Sequence, residues 1–305
     1  MGASIITVYL IDWLIRTHNQ KQFLLSCLLA VSITAQVFNA NNFRQDWTLQ
    51  RSIYWQMAWR IPALTPGTAI IGKGTFTPKS SYYDGVYIVN MLFDKQVKLN
   101  PDYGYFDIYH VSPTNLLANQ PLSETIRGGG IFAGSTSKAI GMYFNWAGGC
   151  VRLLDPIYAG DPAYKDNLND VIPLSDLNLV TSSDSPTSPD PATFGPEPTH
   201  DWCYYFEKAD LARQLHDWGT IVQLNADAET HSLSPVQGAE YLPFIEAFAQ
   251  TKNWTKAYEL SLSANALKPG ITKILCANWN RFTGIVGGQD RDVNLSKAKS
   301  EFCEN

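Results

Sequence analysis

The chain has 305 residues and a formal net charge of −5, with 23 Lys and Arg against 28 Asp and Glu. The basic residues form no cluster, which argues against nucleic acid as a partner. The five cysteines are scattered without a CxxC pair or Cys/His ligand spacing, so we expect no zinc site. The composition predicts no other metal or cofactor.

The most informative segment is residues 22–38, QFLLSCLLAVSITAQVF, which is uncharged and mostly apolar. A helix needs about 20 apolar residues to cross the hydrocarbon core of a bilayer, with roughly 17 as the lower limit. This run reaches that limit, although Ser32 and Gln36 keep its hydrophobicity modest. We therefore predict one transmembrane helix within a membrane segment that covers residues 1–40, with the lipid bilayer as a partner.

A second apolar run, residues 5–15, contains Asp12 and is too short to cross a bilayer alone. It fits a signal-peptide core, an interfacial helix, or the end of a longer transmembrane helix that starts upstream. A signal peptide fits least, because the cations follow this run instead of preceding it: Arg16, His18 and Lys21. By the positive-inside bias, these cations predict that residue 40 onward lies on the extracytoplasmic side of the cell membrane.

Residues 41–61 predict an amphipathic helix that leaves the membrane and ends before Pro62. Its apolar positions have near-helical spacing: Phe43, Trp47, Tyr54 and Ala58, with Trp55 and Trp59 beside them. Two interpretations are equally supported. The aromatic side chains form an interfacial collar while Arg44, Arg51 and Arg60 reach lipid phosphates, or the stripe packs on the following domain.

Residues 62–180 alternate strand-like runs with turn signals. The runs are TAIIG, YFDIYHV, GGIFAG, AIGMYFN and GCVRLL. Residues 83–93, YDGVYIVNMLF, fit a helix or a long strand, and the serines before them favour a helix. A terminal helix is expected around residues 173–179. The pattern predicts an α+β or small mixed-sheet α/β domain.

Residues 181–200, TSSDSPTSPDPATFGPEPTH, are rich in Pro, Ser, Thr and Asp. Such a composition buries little apolar surface and favours an extended conformation. We therefore predict a linker between the mixed domain and the C-terminal part of the chain.

Residues 201–283 change to helical periodicity, and two units align: HDWGTIVQLNADA and KNWTKAYELSLSA. Trp218 and Trp254 recur at a spacing close to the period of about 34 residues of tetratricopeptide repeats, which this segment resembles. Ala209 and Ala212 are small residues of the kind packed between such helices. Because two helix pairs fall short of the usual three repeats, we expect a capping helix at 271–282, followed by a tail, 284–305.

Helical repeats bind partners through a concave surface. We therefore expect the first helices to expose groove contacts, with these candidates: Tyr204, Glu207, Arg213 and Glu240. The alternative is that these residues belong to ordinary solvated helix faces.

Other chemistry is sparse. His110 and Asp107 are weak catalytic candidates at the end of a strand, where a structural role is the simpler interpretation. The Gly-rich stretch up to Ser137 could form a backbone nest for an anion at Gly134, Ser135 and Thr136. It lacks the phosphate-loop pattern, and a Gly-rich strand connection explains it more simply. No catalytic residue is assigned.

Four cysteines follow the membrane segment, and Cys27 lies within it. If the soluble part is exported, Cys276 and Cys303 could form a disulfide. Four scattered thiols allow three full pairings, and buried free thiols are equally compatible with the sequence.

Several long segments carry a family resemblance: QRSIYWQMAWRIPALTPGT, GSTS, GCVRLLDP, FGPEPTHDWCYYFEKADLARQLHDW and LPFIEAFAQTKNW. They resemble the C-terminal part of large, uncharacterised bacterial polytopic membrane proteins that have a glycosyltransferase-like, mannosyltransferase-type membrane half. The resemblance covers about residues 42–281. It implies that the catalytic acid lies in an early extracytoplasmic loop without a counterpart here, so no catalytic residue is carried over.

These observations predict a membrane-anchored extracytoplasmic binding or scaffold module that is part of a glycosyltransferase-like protein. Its partner would be a polypeptide, a glycan or another membrane-protein subunit. The alternative is an enzyme, either a fragment of the transferase or a small hydrolase that uses the region from Gly128 to Ser137.

Overall fold

The structure is a computed structural model that describes most of the chain. The described residues are 2–76, 79–81, 84–94, 98–109, 111, 116–126, 129–146, 148–164, 167–183, 186–267 and 271–304. They combine helices with a smaller share of strands and fall into two compact units, Met1–Leu49 and Gln50–Asn305. This confirms the mixed helix and strand content expected from the sequence.

The N-terminal unit contains α1 (Gly2–Leu14) and the first part of α2 (His18–Arg60). Within the described residues, α2 is the one helix long and apolar enough to cross a membrane. Its most apolar window of 18 residues has a mean hydropathy of 1.8 and is not buried. Membrane anchoring by this helix therefore agrees with the prediction for residues 22–38.

The helix α2 continues without a break from the apolar run into the segment predicted as a separate amphipathic helix. Phe43 and Trp47 are exposed, whereas Tyr54, Ala58 and Trp59 are buried. The Tyr54 ring packs edge-on at 5.6 Å from the Phe194 ring. The second half of the aromatic stripe thus packs against its own domain, as one of the two interpretations expected.

Among the described residues of the second unit, the strands form one four-stranded sheet and two small two-stranded pairs. In chain order they are β1 (Ala63–Leu64), β2 (Ala69–Gly72), β3 (Gly104–Asp107), β4 (Pro121–Thr125), β5 (Ile131–Ser135), β6 (Ala139–Tyr143), β7 (Arg152–Leu153) and β8 (Val180–Thr181). The main sheet has the order β3-β2-β6-β7, β1 pairs with β8, and β4 pairs with β5. The hairpin strand β4 was not predicted, because Leu122 is its one buried residue and PLSET therefore lacks an apolar run.

The centre of the main sheet is parallel. Ala69 lies opposite Gly104 of β3 and Ala139 of β6, whereas β7 is antiparallel to β6. Every residue of β2, β3 and β6 is buried, as is typical of parallel strands covered on both faces. These strands therefore read as continuous apolar runs in the sequence.

Helix α3 (Asp84–Phe93) connects β2 to β3 and confirms the helical alternative for this segment. Its first turn packs closely on the sheet: a Cβ atom at Gly85 would lie 2.2 Å from Cδ1 of Tyr105. Only glycine fits at this position without moving the ring. Farther along, the short helix α4 (Leu168–Val171) leads into two 3₁₀ turns, Ile172–Leu174 and Leu177–Leu179. These turns replace the α-helix expected around residues 173–179.

The described part of the Pro-rich segment 181–200 is attached to the domain at several points, although most of its residues are exposed. It contains the short helix α5 (Pro191–Phe194), and its Thr187 amide donates to the Pro62 carbonyl at 2.7 Å. Trp59 Nε1 donates to Glu197 Oε1 at 2.9 Å. Residues buried on both sides of this segment belong to one contiguous apolar core. The expectation of an extended spacer is corrected, because aromatic side chains of α2 and backbone hydrogen bonds hold the segment in place.

The described residues from 202 onward contain three pairs of contacting helices that follow each other in the chain. They are α6 (Trp202–Gln214) with α7 (Trp218–Thr230), α8 (Leu242–Gln250) with α9 (Trp254–Leu267), and α10 (Thr272–Phe282) with α11 (Arg291–Cys303). Helix α10 lies where the capping helix was predicted, at 271–282, whereas the segment predicted as a tail contains the helix α11. Phe302 is buried, and a disulfide joins Cys303 to Cys276 on α10. The polar sequence of α11 concealed this packing.

Candidate functional site

The main sheet has a topological switch point at β2. From β2 the chain passes through α3 to β3 on one side, and later it returns to β6 on the other side. In open α/β sheets, ligands bind beyond the carboxyl ends of the strands at such a point. The loops that follow Gly72, Asp107 and Tyr143 meet at this edge, which is the first candidate site.

Asp107 organises this edge. The side chain is 4% exposed, and its Oδ1 accepts hydrogen bonds from the Gly74 amide at 2.8 Å and the Tyr109 amide at 3.2 Å. The carboxylate therefore joins the loop after β2 to the loop after β3. This geometry gives Asp107 a structural function, and its suggested catalytic companion His110 lies outside the described residues.

Two exposed aromatic rings flank the loop after β2. Trp146 is 46% exposed, and its Nε1 donates to the Thr75 carbonyl at 3.2 Å. Tyr109 is 58% exposed, and Lys73 Nζ lies 5.9 Å from the centre of its ring. Gly74 adopts φ +75° between them, with open space where a side chain would be. An exposed Trp held by a hydrogen bond offers a pre-positioned apolar surface with a polar surround.

Sequence reasoning did not select Trp146 or Tyr109. The available signal was an aromatic residue within a few positions of the end of two strand-like runs. Its significance depends on strand order, because only the placement of β3 and β6 on either side of β2 brings the two loops to one edge.

The predicted anion nest at Gly134, Ser135 and Thr136 does not offer a free amide at Thr136. Gly134 and Ser135 end β5, and Thr136 begins a 3₁₀ turn. The Thr136 amide donates to the Gln120 carbonyl at 2.9 Å, and the Ser137 amide donates to Ser135 Oγ at 3.2 Å. The Gly-rich stretch is therefore a strand connection whose donors stabilise its own turn.

The residues predicted to line an exposed groove are buried or partly buried. Glu207 and Glu240 are fully buried, and Arg213 is 8% exposed. Tyr204 is partly buried, and its ring stacks on the His200 ring with centres 3.5 Å apart. The expectation of an open groove is corrected, because the end of α2 and the segment 150–161 pack against α6 and the turn before α8.

The contacts in that packed interface are ionic. Arg60, the last residue of α2, donates from Nε to Asp210 Oδ2 at 2.9 Å and from Nη1 to Gln214 Oε1 at 3.0 Å. The other oxygen of Asp210 accepts from Tyr158 Oη and from Arg213 Nε, each at 2.9 Å. Burial would raise the pKa of Asp210, but Arg213 and Arg60 outweigh burial and lower it. Asp210 is therefore an ionised carboxylate between two arginines.

A second buried group surrounds Arg152 on β7. Its Nη1 pairs with Asp161 Oδ2 at 2.5 Å, and its Nη2 donates to Gln237 Oε1 at 2.9 Å. Three tyrosine rings enclose the guanidinium at 4.5–5.6 Å: Tyr143, Tyr158 and Tyr164. Nearby, Glu240 Oε1 accepts from the Cys150 amide at 2.9 Å. Its burial raises the pKa of Glu240, and the hydrogen bond from Cys150 opposes this shift.

These charged groups are bound to one another and face away from solvent, which favours a structural interface over a reaction centre. Within the described ranges, no group of three or more His, Cys, Asp or Glu side chains is placed to hold a metal ion.

Comparisons of the chain with protein-family models, with curated protein sequences and with solved structures each found no match.

Proposed function

We propose that this chain is a membrane-anchored binding module whose second unit, Gln50–Asn305, lies on the extracytoplasmic side. The observation that carries this proposal is the pairing of cysteines. Cys150 pairs with Cys203 and Cys276 with Cys303, whereas Cys27 in the apolar part of α2 is unpaired. Disulfides persist in oxidising compartments and are rare in the cytosol.

One further feature supports this orientation. Arg16, His18 and Lys21 separate the apolar residues of α1 from those of α2. Lys21 forms an ion pair with Asp12, but the positive-inside bias depends on Lys and Arg and little on acidic residues.

We also propose that the three helix pairs are tetratricopeptide-like and that the chain belongs to a larger glycosyltransferase-like membrane protein.

The binding surface that we assign is the carboxyl edge of the sheet, with Trp146 and Tyr109. The faces of α6 and α8 expected to form a groove are largely occupied by residues of the same chain. The sheet edge has exposed, hydrogen-bonded aromatic side chains, the residue class enriched at binding hot spots. The partner is a polypeptide, a glycan or another subunit of the membrane protein.

The orientation is tested by counting free thiols in cells. Whole cells are quenched in acid, denatured without reductant and treated with a maleimide polymer that adds mass to each thiol. We expect one adduct, at Cys27, and none in the Cys27→Ser variant. Reduction before labelling should add the remaining four cysteines. A full set of adducts without reduction would place the unit in a reducing compartment and contradict the orientation.

The binding surface is tested by photo-crosslinking in intact membranes. A photoreactive amino acid replaces Trp146 in one variant and Leu215, which is 56% exposed, in the control. We expect a discrete crosslinked product from position 146 and none from position 215. Equal labelling at both positions, or none at position 146, would contradict the assignment of this edge.

A further inference from the structure

Glu207 is the one predicted groove residue whose carboxyl group remains unexplained by the contacts around it. It lies in the middle of α6 with no exposed surface. Neither carboxyl oxygen has a hydrogen-bond partner among the described residues. An ionised carboxylate in such a position carries a large desolvation penalty, and no hydrogen bond offsets it. We therefore infer that Glu207 is a neutral carboxylic acid in the folded protein.

The charged neighbours of Glu207 are already engaged. Arg60 is held by Asp210 and Gln214, and Arg152 is held by Asp161 and Gln237. Burial raises the pKa of Glu207 well above its usual range. Arg60 and Arg152 oppose this shift, whereas Asp210 and Glu240 add to it.

The helices packed on α6 direct their acidic groups to other partners. Glu229 of α7 pairs with Lys256, and Asp227 is exposed. Glu246 of α8 faces Arg213 and Arg281. In the segment 155–161, Asp155 faces Arg213 and Tyr158 donates to Asp210. Arg60 Nη2 and Arg152 Nε are buried without hydrogen-bond partners among the described residues, so both arginines retain donors for a new acceptor.

We propose that Glu207 is a proton-dependent lock between the last turn of α2 and the helix pairs. As a neutral acid, Glu207 leaves Arg60 to Asp210 and Gln214, and α6 stays packed against α2. As a carboxylate, it attracts the Nη2 of Arg60 and repels the carboxylate of Asp210, and this rearrangement loosens the contact between α2 and α6. The lock therefore couples the external pH to the connection between the membrane-emerging helix and the rest of its unit.

The sign of the effect follows from linkage. Because the folded state holds the proton of Glu207 more tightly than the unfolded state, the protein loses stability as pH rises above the unfolded pKa of the group. The loss continues until the folded pKa is reached. Glu207→Gln has the shape of the neutral acid and no proton to lose, so the variant should lack this component.

The test is urea unfolding of the full chain in nanodiscs from about pH 5 to about pH 9. We expect the ratio of the unfolding constants of wild type and Glu207→Gln to rise with pH, by at most about tenfold per pH unit. Glu259→Gln, on an exposed position of α9, is the matched control and should give a constant ratio. A ratio independent of pH for Glu207→Gln would overturn the proposal.

A second measurement reads the proton directly. Infrared spectra of the wild type at neutral pH should contain the carbonyl band of a buried, protonated carboxylic acid, and this band should be absent from Glu207→Gln. Hydrogen exchange of α6 and of residues 50–60 should increase with pH in the wild type beyond the intrinsic chemical rate, and less so in the variant. A missing acid band, or identical exchange in both proteins, would contradict the lock.

Discussion

The outer helix pairs and the inner face of α6 are held by different forces. In the helices α8 to α11 the core is apolar and aromatic, with Trp254 and Trp279 buried and their ring centres 6.3 Å apart, and the ion pair between Glu246 and Arg281 lies at its margin. At the inner face of α6, Asp210 lies between Arg60 and Arg213 without solvent. Apolar packing weakens in proportion to the volume removed, whereas a buried ion pair that loses one member leaves an uncompensated charge. We therefore expect the loss of one charged group at the inner face of α6 to cost much stability at once. In the outer pairs, we expect the cost to grow with the volume of the side chain that is removed.

The largest effect is expected from Asp210→Asn. The variant leaves the charges of Arg60 and Arg213 without their shared carboxylate, and breaking a buried pair in this way costs about 3–5 kcal/mol. We expect the upper end of that range, because two arginines lose one acceptor. Urea unfolding followed by circular dichroism measures the loss. A cost close to that of an exposed pair would mean that Asp210 contributes no more than a surface contact.

Trp254→Ala tests the apolar side of the comparison. The indole is 1% exposed, and its Nε1 donates to the Gly287 carbonyl at 2.9 Å. Truncating such a residue costs about 3–5 kcal/mol. Trp254→Phe, which keeps most of the apolar volume and loses the hydrogen bond, should cost clearly less. Equal losses in the two variants would show that the hydrogen bond, and not the packing, is decisive.

The disulfide between Cys276 and Cys303 tests how α11 is held. The two cysteines are 27 residues apart in the sequence, and closing a loop of this length contributes about 3.5 kcal/mol by restricting the unfolded chain. We expect this loss for the double variant Cys276→Ser/Cys303→Ser in thermal unfolding of the oxidised protein. Reductant should lower the melting temperature of the wild type more than that of the variant, which retains Cys150–Cys203. An equal response in both would contradict a stabilising role for this bridge.

The sequence predicted the helices of the first two pairs better than the inner face of α6, for a physical reason. Trp218, Trp254 and the alanines follow a helical period, and burial of one helix face imposes that period directly. The contact between Arg60 and Asp210 spans 150 residues and has no local signature. A charged residue on a helix usually faces solvent, so Glu207 and Arg213 were expected in a groove, although the folded chain covers them.

In the sheet, too, local elements were predictable from the sequence and long-range contacts were not. Buried strands such as β2 and β6 were recognisable as apolar runs, and α3 as a segment with serines before it. Their order could not be predicted, because parallel neighbours are far apart in the chain and no local residue specifies which strand lies beside which. The candidate edge with Tyr109 and Trp146 depends on that order, which explains why neither residue was selected.

The smallest effect is expected from Glu229→Gln, which breaks the ion pair between Glu229 Oε1 and Lys256 Nζ at 2.8 Å. The Glu229 side chain is 53% exposed, so water and salt screen the attraction and such a pair contributes less than about 1 kcal/mol.

The Glu229→Gln and Asp210→Asn variants can be compared directly, because both replace one carboxylate by its amide and remove an ion pair that crosses between helices. We expect the loss at Glu229 to shrink further in high salt, whereas the loss at Asp210 should change little, because mobile ions do not enter the buried site. Urea unfolding of both variants at low and high salt measures this difference. A similar salt dependence at both positions would mean that solvent reaches Asp210 and that the inner face of α6 is not a sealed ionic interface.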